Sequence, residues 1–518
     1  MIIYQALSTY QILECIEHRC LFHKDEKCVI LLGDYIKERF SNYKDISEFF
    51  DEFYLFKYGG YGGNREQILQ AVEAEYNATI PYPLTENLEF YIAGIHTYLQ
   101  MLMLDKEIPF AMFEDGSGAL SRPWILAEIA KKNSPEKYEL INSYGLYYHE
   151  NRLITKKYCD MSAQLEGFKD DKAVDFNVLN GFRQLPLEIQ YKILSFFGIE
   201  DKLNVGEDVT LVLTQQFAGL GQLTFEEHVS IYQGLLDFYF SKDKIVFKLH
   251  PDDIMYYERL FPDINIIRKK FPSELIPFSF ENIPKKLVTI SSTGTNLIAS
   301  HFSQVIKFNE LYEHSYRYNF IYYVLLNLLC CVGIEEVGVS GANFTQLYNL
   351  IVCNSQFHVT LRDKNCVVMV YDDLTEDLIN LNKIISQYVK DGEIQTIIFL
   401  NSKESYNFFS PETAHLWDDL IPITVRKRLV RNEDNYEDAG EHVIYILTKD
   451  SNMRLKCEGF CMEKDLKHTG ISISVEQETR DKRYIRMLEG RLEATEKRLT
   501  EYIENEKKLL ERLSIYEK

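Results

Sequence analysis

Short apolar runs alternate with helix-forming stretches along most of this chain, and that rhythm constrains its fold more than any other feature. Met1 to Ala6, Lys27 to Leu32, Phe53 to Phe56, Leu88 to Ile92 and Ile108 to Phe113 read as buried strands. Tyr10 to His18, Arg65 to Tyr76 and His96 to Leu104 have helical spacing between them. Apolar strands separated by helices predict a parallel sheet covered on both faces. After a helical connection at 180–205, broken at Leu185-Pro186, the rhythm restarts. Val209 to Leu213, Lys244 to Leu249, Ile264 to Ile267, Leu287 to Ile290 and Gln304 to Ile306 are the second strand series, and Phe225 to Tyr239 is its first helix. The expected class is α/β, with two Rossmann-like domains flanking a cleft.

The chain has 518 residues, room for about three domains. The expected boundaries are 1–165 and 166–325 for the Rossmann-like pair, 326–475 for an accessory α/β or α+β domain, and 476–518 for a tail. The accessory strands are Glu336 to Val339, Phe357 to Leu361, Cys366 to Tyr371 and Thr396 to Leu400. No catalytic constellation stands out there. Val339-Ser340-Gly341-Ala342-Asn343 lacks the spaced glycines of a cofactor cradle and reads as a turn. The tail repeats apolar residues by sevens. Ile485, Leu492, Leu499 and Leu513 share one seam position, and Leu488, Tyr502, Leu509 and Tyr516 the other. Thr495 and Glu506 interrupt the seam. This predicts a C-terminal coiled coil and a homo-oligomer. A single helix lying on the body would show the same stripe.

A formal charge of −21 argues against a nucleic-acid partner, which needs a basic stripe. The basic runs Lys285-Lys286 and Arg426-Lys427-Arg428 read as solvated faces, with peripheral contact to anionic lipid the second possibility. Ten cysteines are scattered, and Cys457 and Cys461 have no second pair to complete a zinc site. No basic-then-apolar segment opens the sequence. Phe320 to Val332 is too short for a spanning helix of about 20 residues. The expected place is the cytoplasm, with a possible position at the inner face of a bacterial membrane.

Three polar motifs follow strands at the edge where open α/β sheets bind ligands. Glu114-Asp115-Gly116 follows the first, and Gly116 permits a sharp turn that presents Asp115. A carboxylate there suits a general base, although capping of the helix near Pro123 is its ordinary role. His250-Pro251 follows the second, with proline stiffening the presentation of an imidazole. A turn in which Asp252 or Asp253 caps the next helix explains the same residues. Ser291-Ser292-Thr293 follows the third, ahead of Gly294. Hydroxyls and N–H groups there suit either an anion or a plain N-cap.

The order acidic-acidic-Gly, His-Pro, Ser-Ser/Thr resembles the motif set of bacterial sialyltransferases. That set is shared by the lipooligosaccharide sialyltransferases (glycosyltransferase family 52) and the polysialyltransferase-type enzymes. Leu7-Ser8-Thr9-Tyr10-Gln11 is also similar to the opening of the lipooligosaccharide group, where proline often stands in place of Thr9. The likeness covers roughly residues 1–325. It implies a GT-B-like pair of Rossmann-like domains, a CMP-sialic acid donor, a glycan or glycolipid acceptor of lipooligosaccharide or capsule, no cofactor, no obligatory metal, and inversion at the anomeric centre. Carried over, Asp115 is the base, His250 the acid or charge partner of the departing phosphate, and Ser291, Ser292 and Thr293 are donor contacts, beside Gly116, Pro251 and Gly219. In the lipooligosaccharide branch the base can be an acidic residue shortly before His-Pro. Glu226 and Glu227 lie in that region, so Glu226 competes with Asp115. The same charges serve other CMP-activated sugars such as Kdo, and a coiled-coil scaffold with a degenerate transferase core is the reading from outside enzymology.

Overall fold

The computed structural model describes residues 1–94, 97–240, 242–253, 255–290, 292, 294–308, 319–341, 347, 350–351, 357–361, 366–371, 394–401, 417–432, 435–463, 471–475 and 480–516. The chain divides into two compact units. The first comprises Met1–Tyr232 and Ser241–Tyr312, the second Gln233–Phe240 and Glu313–Lys518.

The first unit holds two wholly parallel sheets. One is built from β1 (Ile2–Ala6), β2 (Cys28–Gly33), β3 (Glu52–Phe56), β4 (Glu89–Ala93), β5 (Phe110–Phe113), β6 (Ile154–Cys159) and β7 (Ala173–Asp175). Its order is β3-β2-β1-β4-β5-β6-β7. The other contains β8 (Thr210–Leu213), β9 (Ile245–Lys248), β10 (Asn265–Ile267), β11 (Lys286–Thr289) and β12 (Gln304–Lys307), in the order β10-β9-β8-β11-β12. The architecture is the α/β pair of Rossmann-like bodies that the strand rhythm predicts. Strands β6 and β7 are absent from that prediction for a plain reason: β6 carries Lys156 and Lys157 in mid-strand, and β7 is three residues long.

Alternation within strands builds the core. Ile2, Tyr4 and Ala6 of β1 point into one apolar cluster, which continues to Leu211, Leu213, Val246 and Leu287 of the second sheet. Ile3 points to the opposite face with Val29, Leu31 and Ile92. Helix starts follow local chemistry. Ser8 and Gln11 form a capping box at helix Thr9–Phe22, as do Asn64 and Gln67 at Arg65–Thr79 and Thr97 and Gln100 at Tyr98–Asp105.

Each sheet has a topological switch. The chain runs β1, β2, β3 to one side and then returns to place β4 on the other side of β1. In the same way it returns to place β11 beside β8. Loops leaving β1 and β4, or β8 and β11, therefore part in opposite directions and leave a crevice at the carboxyl ends of the strands.

In the second unit, β13 (Glu336–Gly341), β14 (Thr360–Leu361), β15 (Cys366–Tyr371) and β16 (Thr396–Asn401) are parallel. The antiparallel β17 (Asp419–Asn432), β18 (Asn435–Thr448) and β19 (Ile471–Val475) complete the sheet β14-β13-β15-β16-β18-β17-β19. Helix Asn319–Val332 is buried along Ile321 to Leu326 and at Leu328 and Leu329, as its predominantly apolar sequence requires, and its buried Asn327 donates to the Tyr323 carbonyl. In the Val339–Asn343 turn, residues 339 to 341 close β13, while 342 and 343 lie outside the described residues. The tail forms one helix, Arg480–Tyr516, of 37 residues. Among the described residues no helix is long and apolar enough to cross a membrane.

Candidate active site

Both switch points of the first unit open onto one cavity of about 510 Å³. From the first sheet, Leu7 to Gln11 follow β1, Tyr35 and Arg39 lie beyond β2, and Asp115 to Ser117 follow β5. From the second, Thr214 to Gln216 follow β8, Lys248 to Asp252 span the end of β9, and Ser292 and Gly294 lie beyond β11.

The acidic motif divides its labour. Glu114 is 1% exposed and turned into the protein. It accepts hydrogen bonds from the Gly118 N–H (3.1 Å), the Asp160 N–H (2.8 Å) and Gln164 Nε2 (3.0 Å), which fixes the loop. Asp115, one residue on, lines the cavity, and its Oδ1 accepts a bond from Gln11 Nε2 at 2.6 Å. Gly116 adopts φ +141°, a conformation open to glycine and costly for other residues. Burial, and then the Asp252 carboxylate, push the Asp115 carboxyl up to about 7, against the Gln11 bond that favours its charged form. A carboxyl in that range can take up a proton near neutrality.

Gln11 links local structure to chemistry. Its Oε1 accepts from the Leu7 N–H (2.7 Å) and the Ser8 N–H (3.2 Å), closing the capping box, so its Nε2 is aimed at Asp115. The sequence reading names Gln11 only within the opening motif and gives it no role. The Ser-x-x-Gln spacing was the available signal.

His250 is held at both ends. Its N–H donates to Thr214 Oγ1 at 2.9 Å, and its Nδ1 accepts from the Asp252 N–H at 3.2 Å. An Nδ1 that accepts carries no proton, so the neutral ring bears its hydrogen on Nε2. Burial lowers the His250 pKa, and Lys248 adds to that shift while Asp252 and Asp253 oppose it. His250 is therefore a neutral Nε2–H donor at neutral pH rather than a standing positive charge. Asp253 closes a local turn, accepting from the Met255 N–H and the Tyr257 hydroxyl, and the next helix, Tyr257–Leu260, starts at Tyr256 with no side-chain cap, contrary to the capping expected of Asp252 or Asp253. Asp252 faces the cavity, with Arg39 Nη1 3.5 Å from its Oδ1.

Lys248 and Glu274 are buried cavity residues. Lys248 donates to the Phe271 carbonyl at 2.7 Å, and burial lowers its pKa to about 8. Burial raises Glu274 to about 7. Ser292 lines the cavity, its N–H bonded to Thr289 Oγ1 and its carbonyl to the Thr295 hydroxyl. The helix beyond it, Thr295–Ile298, is a single turn, so its dipole adds little to anion binding. Gly294 stands where a Cβ would lie 2.6 Å from Ser273 Oγ and 3.0 Å from Glu274 Oε1.

Among the sequence-derived candidates, Asp115, Gly116, Gly219, His250, Pro251 and Ser292 line this one cavity. Ser291 and Thr293 lie outside the described residues. Glu226 does not line the cavity; it is exposed in the first turn of helix Phe225–Gly234. Glu227 accepts from the Thr224 N–H and serves as a cap. Among the described residues, no three His, Cys, Asp or Glu side chains are grouped to hold a metal ion.

No family model matches the chain. A curated protein of Haemophilus influenzae, itself uncharacterized, is 24% identical over 209 residues, which are 40% of this chain and 64% of that protein. The chain thus spans just under two thirds of that relative's length. Similar solved structures include CalG4, the calicheamicin glycosyltransferase (14% identity, 63% of this chain and 84% of that one, TM-score 0.33). The spinosyn forosaminyltransferase SpnP aligns at 9% identity over 69% and 90%, with a TM-score of 0.34. The UDP-GlcNAc 2-epimerase of Methanocaldococcus jannaschii aligns at 12% over 59% and 83%, with a TM-score of 0.33.

Proposed function

We propose that the first unit is an inverting glycosyltransferase that moves sialic acid from CMP-sialic acid to a hydroxyl of a surface glycan. The observation that carries this reading is the meeting of Asp115 and His250, from different sheets, in one cavity at two switch points. The motif order supports the donor.

In this mechanism Asp115 accepts the proton of the acceptor hydroxyl as its oxygen bonds to the anomeric carbon. The bond from that carbon to the phosphate oxygen breaks with its electron pair, and CMP leaves. His250 Nε2–H and the Ser292 hydroxyl donate hydrogen bonds to the phosphate as its charge grows. Arg39 and Lys248 are the cavity's cations, against a strongly acidic whole, and they offset the donor's carboxylate and phosphate. Asp115 is the preferred base because it lines the cavity and Glu226 does not.

The test is to incubate the full chain with CMP-Neu5Ac and a galactoside panel and follow CMP release, with UDP- and GDP-sugars in parallel. Galactoside-dependent CMP release is expected. Turnover of a UDP- or GDP-sugar with none of the CMP-sugar would overturn the donor assignment. His250→Ala should remove turnover while leaving the circular dichroism spectrum unchanged; normal turnover would remove His250 from the mechanism.

A further inference from the structure

The C-terminal helix, Arg480–Tyr516, carries an exposed apolar stripe among its described side chains. Ile485 is 54% exposed, Leu492 61%, Leu499 59% and Tyr502 73%. Lone helices with such a stripe gain their stability from a partner rather than from propensity.

We infer that this helix pairs with the same helix of a second copy, antiparallel, about a two-fold axis midway between residues 500 and 501. The seam is self-complementary in this arrangement. About that midpoint, position 485 falls opposite 516, 488 opposite 513, 492 opposite 509, and 499 opposite 502. Every one of these layers pairs an apolar or aromatic residue with another. The two interruptions, Thr495 and Glu506, fall opposite each other, so the seam's polar residues share one layer and the charge faces no apolar side chain. Sliding the pair by one heptad either way sets the Glu506 carboxylate against Leu488 or Tyr502 instead of against the other polar position.

The parallel alternative sets each seam residue against its own copy. It places Glu506 against Glu506, a like-charge pair inside the seam. Its compensation is a flanking pair in sequence register, Arg491 with Glu496. The antiparallel arrangement has a flanking cost instead, positions 491 and 512 both being arginine. Charge pairs at the rim of a seam count for little, whereas a like-charge pair inside an apolar seam is expensive. The seam therefore decides. Polar seam residues that match in only one register are the recognised means of fixing it. Ile503, 44% exposed, falls beside Glu496 of the second copy, whose methylene stem can cover it.

The test uses the full chain and light scattering behind size exclusion. A dimer is expected at micromolar concentration, and a monomer would overturn the proposal. Leu492→Glu with Leu499→Glu should give a monomer with the strand signal intact; a dimer that persists is made elsewhere and also overturns it. Thr495→Lys separates the orientations. Antiparallel pairing sets the new lysine against Glu506, so the dissociation constant should hold or fall. A rise of about tenfold or more, as expected for lysine against lysine in a parallel seam, would overturn the antiparallel register.

Discussion

Asp115 shows how little separates a loop carboxylate from a base. Burial raises both carboxyls to about 7, but Glu114 is held inside the loop by two N–H groups and an amide, whereas Asp115 has one amide partner and lines the cavity. Asp115→Asn should lower turnover by about 10²–10⁴-fold, and Glu226→Gln should leave it near wild type; the reverse pattern in CMP release would reassign the base. Because the Asp115 pKa is raised to about 7, the proposed base is protonated below that value and charged above it. Activity should therefore rise with pH through about 7. Gln11→Ala removes a bond that favours the charged form, so this limb should move to higher pH, which a pH profile of kcat/KM would read. The same substitution opens the capping box and should cost about 1 kcal/mol of stability.

At the scale of elements, turns carry the site. The reversal after β5 depends on Gly116 at φ +141°. Gly116→Ala should destabilise the first unit by about 1–3 kcal/mol in denaturant unfolding, although no atom would crowd the added methyl. An unchanged midpoint would mean the loop relaxes freely. The Ser8–Gln11 box is legible as a helix start, yet its second use, aiming Nε2 at Asp115, depends on β1 and β5 loops that are 104 residues apart in sequence. Strand spacing gives β1 to β5 and β8 to β12 from apolar runs alone. The long β17–β18 hairpin escapes that reading, and its strands carry charged stretches such as Arg426-Lys427-Arg428 and Glu437-Asp438.

Across the first unit, burial of acids sets a pH response. Glu14 and Glu17 on helix Thr9–Phe22 are fully buried, and their oxygens have no hydrogen-bond partner among the described residues. Burial, then neighbouring carboxylates, raise both pKa values well above the ordinary range. The folded state thus holds protons that the unfolded chain releases above about 4.3, and that contribution to stability is lost as pH rises. The buried histidines His18 and His149, lowered to about 3, act with the opposite sign below about 6.5. Glu14→Gln isolates the carboxyl effect. It should raise the melting temperature more at pH 8 than at pH 5, since glutamine keeps the shape without the ionisation. Equal shifts at both values would show that Glu14 is not the titrating group.

Residue order alone determined the alternation of strands and helices, the seam of the tail and three polar motifs at strand ends, because each depends on neighbours within a few positions. Tertiary structure decided which of those motifs share a cavity. Asp115 and His250 reach it because two separate sheets each reverse strand order at their centre, and Glu226 is left on an exposed helical turn although it lies closer to His250 in sequence. Ionisation was likewise beyond local reading: what raises Asp115 and lowers His250 is the amount of protein between the group and water, and that is fixed only once distant segments have packed.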